Sequence, residues 1–197
     1  MIALDPPFRR AALEDAPALA DLVNFAGEGM PLYLWGKMAE PGESAWDVGR
    51  RRAARDEGSF SWRNAYVADA GGRAVACLIG YHIADPPEPI PADMPAMFRP
   101  LQELENAAPG TWYVNVLAVY PEHRGRGLGG KLLGLADQLA AAEGKRGLSV
   151  IVADENLGAR RLYGRCGYVE SGRRPMVKDG WENPSREWVL LTKRLAD

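Results

Sequence analysis

The sequence predicts a mixed α/β domain built on a central sheet of six or seven strands, largely antiparallel and flanked by helices. Three observations predict it. Short β-branched and aromatic runs fill the region after Ala65, with hairpin chemistry between two of them. The most apolar run of the chain, 111–119, passes through a glycine-rich turn into a long amphipathic segment. A strand, a helix and two closing strands follow that segment, so a β-turn-α-β unit sits behind an antiparallel front half.

Each element has a local reason. A short strand at 8–12 leads to Asp15, placed to cap a helix, and to Pro17, which fits a helical first turn. Leu19, Leu22, Val23 and Ala26 keep helical spacing until Gly27 and Gly29 end the run. A second helix is expected over 44–57, where Arg50, Arg51, Arg52 and Arg55 make a solvated face. Strands at 66–68 and 74–83 flank Asp69-Ala70-Gly71-Gly72-Arg73, a hairpin connection. The stretch from 84 to about 100 carries Pro86, Pro87, Pro89, Pro91 and Pro95, which exclude regular helix and central strand. A connection of that length is often a lid or a substrate wall. A short helix over 98–107 would carry Glu103 and Glu105. Strand 111–119 is expected at the centre of the sheet. A helix at 128–143 follows it, with Leu128, Leu132, Leu135, Ala136 and Leu139 as its buried stripe. Strand 148–152, helix 156–166 and strands near 168–177 and 188–193 complete the chain.

Composition narrows the function. The chain has 197 residues, with 24 basic against 26 acidic and a net charge of −2, so nothing electrostatic argues for nucleic acid. Local basic clusters at 50–52 and 124–131 leave small anions open as ligands. Cys77 and Cys166 stand far apart and outside any CxxC or Cys/His cluster, which reads as two reduced intracellular thiols with no metal site. The opening residues Met1-Ile2-Ala3-Leu4-Asp5-Pro6-Pro7 carry no basic-then-apolar leader pattern, and no apolar run approaches the ~20 residues of a membrane span. The expectation is a cytoplasmic protein. Its oligomeric state is open, a homodimer being the commonest soluble assembly.

Arg124-Gly125-Arg126-Gly127-Leu128-Gly129 joins the strongest strand to the strongest helix. Glycines let the chain turn tightly, so that several backbone N–H groups point together at the positive end of the helix and form an anion site. Arg124 and Arg126 add charge, and Lys131 stands one turn further in. The Walker pattern fails, because no Lys-Ser or Lys-Thr follows. Residues 125–130 match GxGxxG, yet the acidic residue that closes the next strand, Asp154, lies roughly thirty positions on where about twenty are needed, and antiparallel strands precede the loop.

The spacing Arg-x-x-Gly-x-Gly after Val116-Leu117-Ala118-Val119 resembles the coenzyme A pyrophosphate loop of the GCN5-related N-acetyltransferase (GNAT) superfamily. Downstream, Glu155-Asn156-Leu157-Gly158-Ala159-Arg160-Arg161-Leu162-Tyr163-Gly164-Arg165-Cys166-Gly167-Tyr168 resembles that superfamily's second motif. The resemblance covers about 111–169, extends back toward Phe8 and is absent across 84–109. It implies a single acyltransferase domain over 1–197, with a cofactor-binding core at about 111–169, a proline-rich insertion at about 84–109 and a V-shaped splay between the two central strands. Acetyl-CoA would be the co-substrate, held by Leu117, Ala118, Val119, Arg124, Gly125, Arg126, Gly127, Leu128, Gly129, Lys131, Asn156 and Tyr163.

By the same resemblance, the Tyr163 hydroxyl would protonate the leaving thiolate, and the backbone N–H near Leu117 would hold the oxyanion. Read from the residues alone, Tyr163 shares a helix face with Ala159, Leu162 and Cys166 and is equally a core aromatic, while Asn156 is a favoured N-cap. Tyr113, Asn115 and Leu117 alternate onto one strand face. Many superfamily members place a glutamate there as base, and this chain does not. Asn115 ordering a water, Glu103, Glu105 and His82 are the candidates for that role. The implied activity is acetyl transfer to a primary amine of a small molecule, peptide or protein by direct attack. The rivals are a non-catalytic acyl-CoA sensor of the same fold and a dinucleotide-binding oxidoreductase. The acidic pair Glu103 and Glu105 suggests a cationic acceptor such as a polyamine, an amino sugar or a protein N-terminus.

Overall fold

The computed structural model describes every residue except Met1, Ala3, Ala196 and Asp197, so part of the N-terminal stretch read above lies outside the described residues. Among the described residues, strands β1 (Phe8–Arg10), β2 (Ala65–Ala70), β3 (Arg73–His82), β4 (Trp112–Val119), β5 (Gly147–Ala153), β6 (Val169–Pro175) and β7 (Glu187–Arg194) form one sheet. Its order is β1-β2-β3-β4-β5-β7-β6, which makes β4 the central strand, as its composition predicts. β4 and β5 pair in parallel from Trp112↔Leu148 to Val114↔Val150. β1–β2, β2–β3, β5–β7 and β6–β7 are antiparallel. The helices are α1 (Ala16–Ala26), α2 (Met30–Met38), α3 (Ala45–Ala53), α4 (Arg99–Asn106), α5 (Leu128–Ala142) and α6 (Leu157–Arg165). The predicted class, a mostly antiparallel mixed sheet with flanking helices, is the observed one.

By its contacts the chain divides into two compact units. The first is Met1–Gly80 with Val116–Leu132. Its core collects Leu19 and Leu22 of α1, Val48 of α3, Val67 of β2 and Ile79 of β3, all fully buried. Trp35 of α2 stacks on Phe60 at 5.8 Å and meets Trp46 edge-on at 6.1 Å, so these aromatics pack in and against this core. Two local readings change. α2 is an additional helix, entered from Gly29 at φ +87 with Pro31 in its first turn. Asp15 precedes α1 but does not cap it: its carboxylate takes the Arg9 guanidinium at 2.6 Å and the Ala12 N–H at 2.8 Å. The arginine-rich face of α3 is largely solvated, with Arg50 and Arg51 paired to Asp47 and Glu43.

The second unit is Tyr81–Asn115 with Leu133–Asp197. Leu104, Val114, Leu133, Leu148, Val150, Val189 and Leu190 fill its core. The proline-rich stretch is irregular, as expected, and is tied to α4: Asn106 donates to the Glu88 carbonyl at 2.9 Å and Arg99 to the carbonyls of Pro91 and Ala92 at 3.3 Å. α4 itself is anchored by Leu104, 1% exposed, whose methyl group lies over Gly172 of β6. An ion pair at 2.6 Å between Glu103 and Arg174 fixes its outer side. No helix of the described residues is long and apolar enough to cross a membrane.

Candidate active site

In the first unit the glycine turn is held by its approach. β4 alternates strictly along its second half: Val116 and Ala118 are buried in the core, while Leu117 and Val119 are half open. Immediately after β4, the Tyr120 N–H donates to the Val75 carbonyl at 3.0 Å, its hydroxyl donates to Asp21 of α1 at 2.7 Å, and its ring meets Phe25 edge-on. A short helical turn, Pro121–His123, then delivers the chain to Arg124. Arg124 Nε donates back to the Val119 carbonyl at 3.0 Å, and Arg126 donates to the Glu122 carbonyl at 3.1 Å. Both arginines therefore brace the turn as well as charging it. Tyr120 and Asp21 were not among the residues singled out from the sequence. Their pairing spans two distant segments and leaves no local signal.

Gly125 and Gly127 stand at φ +75 and +79, a region that costs an L side chain about 1–2 kcal/mol. A β-carbon at either would meet no atom within 4 Å, so the space over the turn is open to a ligand. α5 begins at Leu128, and the Lys131 N–H makes its first helical bond, to the Gly127 carbonyl at 3.1 Å. The N–H groups of a helix's first turn have no intrahelical acceptor, and here they follow directly on the two glycines. Lys131 is exposed one turn in. The turn thus fits an anionic ligand of phosphate type by backbone donors, dipole and side-chain charge together.

In the second unit α6 carries the motif residues. Asn156 is its N-cap, with Oδ1 accepting from the Ala159 N–H at 3.1 Å, so the capping role read from the sequence is filled. Cys166 closes the helix and Gly167 follows at φ +88. The Gly167 N–H bonds the Gly164 carbonyl and the Tyr168 N–H bonds the Tyr163 carbonyl, both at 3.1 Å, which is a Schellman closure. The side-chain contact that accompanies such a closure is made by Tyr163 and Tyr168, ring centroids 5.5 Å apart. The Gly-Tyr pair after the helix therefore fixes the ring of Tyr163. Tyr163 is buried, and burial pushes its phenol well above the usual range, so it keeps its proton at neutral pH.

The same unit holds a group whose surroundings the sequence left open. Tyr81, near the end of β3, packs its ring on Tyr113 of β4 at 5.3 Å and donates its hydroxyl to Glu105 of α4 at a long 3.4 Å. Burial raises the Glu105 carboxyl to about 7, partly offset by the Tyr81 hydrogen bond. The phenols of Tyr81 and Tyr113 are pushed far up, first by burial and then by the charge of Glu105, and Tyr113 also senses Tyr163. Asn115, two residues along from Tyr113 on the same strand face, is half open. The other acidic candidate, Glu103, is engaged by Arg174, and His82 is exposed at the end of β3. Among the described residues, no group of three or more His, Cys, Asp or Glu is placed to hold a metal ion.

Known proteins resemble this chain in sequence profile and in fold. A sequence profile of the acetyltransferase (GNAT) family matches residues 33–168. No curated protein matches the sequence. Among solved structures, the fold is similar to that of an acetyltransferase with a TM-score of 0.65 at 21% identity, covering 96% of this chain and 99% of the other. It is also similar to an N-acetyltransferase from Staphylococcus aureus Mu50, with a TM-score of 0.62 at 16% identity over 94% and 98% of the two chains. An acetyltransferase from Bacillus anthracis str. Ames, solved in complex with acetyl coenzyme A, matches with a TM-score of 0.50 at 17% identity over 67% of this chain and 62% of that one. With the glycine turn, the capped motif helix and the profile match together, the chain belongs to the acetyltransferase (GNAT) family.

Proposed function

We propose that the protein is an N-acetyltransferase that moves the acetyl group of acetyl-CoA onto a primary amine by direct attack. The observation that carries the reading is the turn at 124–129, with two left-handed glycines, an open space above them and a helix start behind them. Backbone donors of Gly125, Gly127, Leu128 and Gly129, with Arg124, Arg126 and Lys131, hold the pyrophosphate. Main-chain groups of Leu117, Ala118 and Val119 and the Asn156 side chain hold the pantetheine arm, where the resemblance implies a splay between β4 and β5. That a relative was solved with acetyl coenzyme A supports this choice of co-substrate. The domain is read as one acyltransferase over 1–197, with its cofactor core at about 111–169 and the insertion at 84–109 forming an acceptor wall. A cytoplasmic location accords with two free cysteines, Cys77 buried and Cys166 half-buried.

Acetyl-CoA supplies a thioester that is already reactive, so the protein's residues mainly orient and stabilise. The backbone N–H near Leu117 donates to the carbonyl oxygen as charge develops on it. Asn115 orders a water beside the attacking nitrogen. Tyr163, kept protonated by burial, gives its proton to the departing sulfur. The test is thiol release from acetyl-CoA with spermidine, glucosamine and an alanine-terminated peptide as acceptors, comparing wild type with Tyr163→Phe. Release by wild type with a loss of ~100-fold or more in kcat in the variant, at unchanged acetyl-CoA affinity, supports the assignment. Tight acetyl-CoA binding without thiol release from any acceptor would mean a sensor and not an enzyme.

A further inference from the structure

We propose that Glu105, carried by the insertion helix α4, is the base that takes the proton from the attacking amine, in place of the strand carboxylate this chain lacks. The inference rests on the N-acetyltransferase reading above and deepens it. Its geometric basis lies wholly within the second unit. β3 and β4 bring Tyr81 and Tyr113 together at 5.3 Å, and α4 sets the Glu105 carboxylate against the Tyr81 hydroxyl. The buried Tyr113 phenol senses the charge of Glu105 and also Tyr163 of α6. The Tyr81 hydroxyl faces the Glu105 carboxylate, and Tyr113 senses its charge. Arg174 of β6, a strand against which α4 packs, is engaged by Glu103 at 2.6 Å.

Within this cluster only one group changes charge near neutrality. The phenols of Tyr81, Tyr113 and Tyr163 are held protonated by burial, whereas the Glu105 carboxyl titrates at about 7. Two titratable groups whose surroundings push their affinities for protons apart are an acid and a base in one site. A carboxylate raised toward the working pH is also a stronger base than one on the surface. The step balances simply. The amine nitrogen bonds the carbonyl carbon, its proton passes to the Glu105 carboxylate, the C–S bond breaks, and the thiolate takes the Tyr163 proton. Glu105 and Tyr163 then return to their starting states by exchange with solvent. The tie of α4 to the fold, through Leu104 and through Glu103 to Arg174, makes the insertion a positioned catalytic element.

The experiment is the pH profile of kcat/KM for wild type, Glu105→Gln, Glu105→Asp and Tyr81→Phe, with the best acceptor among spermidine, glucosamine and the alanine-terminated peptide. Acetyl-CoA affinity is measured by calorimetry on each variant. Wild type is expected to lose rate as pH falls below about 7, where Glu105 becomes protonated. Glu105→Gln should lower kcat by ~100-fold or more and flatten that limb, with acetyl-CoA affinity within twofold of wild type. Glu105→Asp should restore part of the rate and the limb. Tyr81→Phe removes a donor to the carboxylate and should move the limb to higher pH. A Glu105→Gln enzyme that keeps both its rate and its limb overturns the assignment and leaves acetyl transfer standing. No thiol release by wild type with any of the three acceptors overturns both.

Discussion

The glycine turn of the first unit and the tyrosine–carboxylate cluster of the second are built by opposite means. The turn is exposed and made of main chain: Gly125 and Gly127 take conformations other residues resist, and the donors are backbone N–H groups. The cluster is made of side chains, and burial sets its chemistry by holding three phenols protonated while bringing one carboxyl to about 7. A site built from backbone geometry recognises a fixed feature of its ligand. A site built from buried side chains tunes proton affinity, which suits the reacting end. Affinity and turnover should therefore separate cleanly under mutation.

The largest expected effect is on affinity. Gly127→Val places a branched side chain at φ +79 and fills the open space above the turn, and should weaken acetyl-CoA binding by ~100-fold or more in calorimetry. Equal size but opposite sense is expected for Tyr163→Phe, which should cost ~100-fold in kcat and leave acetyl-CoA affinity within twofold. If both variants lost affinity and turnover together, the separation would fail. Arg124→Ala with Arg126→Ala should weaken acetyl-CoA binding by roughly tenfold, more at low salt than at high, because both guanidinium groups are exposed and screened. Part of that loss is the slackening of the turn when the bonds to the Val119 and Glu122 carbonyls go.

Stability offers two smaller tests within the cluster. The Tyr168 hydroxyl is buried without a hydrogen-bond partner among the described residues. Tyr168→Phe should keep kcat and be neutral to stabilising by up to about 1 kcal/mol in denaturant melts. Glu105 has a raised carboxyl, so its protonated form favours the fold. That contribution is complete below the ordinary value of 4.5 and is lost as pH rises through about 7. Wild type should thus lose stability on the order of 1 kcal/mol relative to Glu105→Gln between pH 4.5 and 7.5.

The turn could be read from the sequence because all of its chemistry lies in six consecutive residues between a strand and a helix. The same holds for α6, whose cap Asn156 and terminal Gly167 are both local signals. The helix α2 left no comparable mark: it starts from a glycine with no side-chain cap and carries Gly36 inside it. Asp15 looked like a cap because only its neighbours in sequence could be weighed, and the arginine that claims it comes from β1. Glu103 and Glu105 were indistinguishable as two acidic residues on one short helix. Packing separates them, sending one to Arg174 on β6 and the other to Tyr81 on β3. Proton affinities set by burial among four elements have no signature in any one of them.

The most direct single test is calorimetric titration of the wild-type protein with acetyl-CoA, beside NADH as a control and Gly127→Val as the variant. Micromolar binding of acetyl-CoA, none of NADH, and loss of acetyl-CoA binding in a folded Gly127→Val protein is the expected result. Undiminished acetyl-CoA binding by Gly127→Val, or binding of NADH and not of acetyl-CoA by wild type, would contradict the assignment of the turn and of everything built upon it.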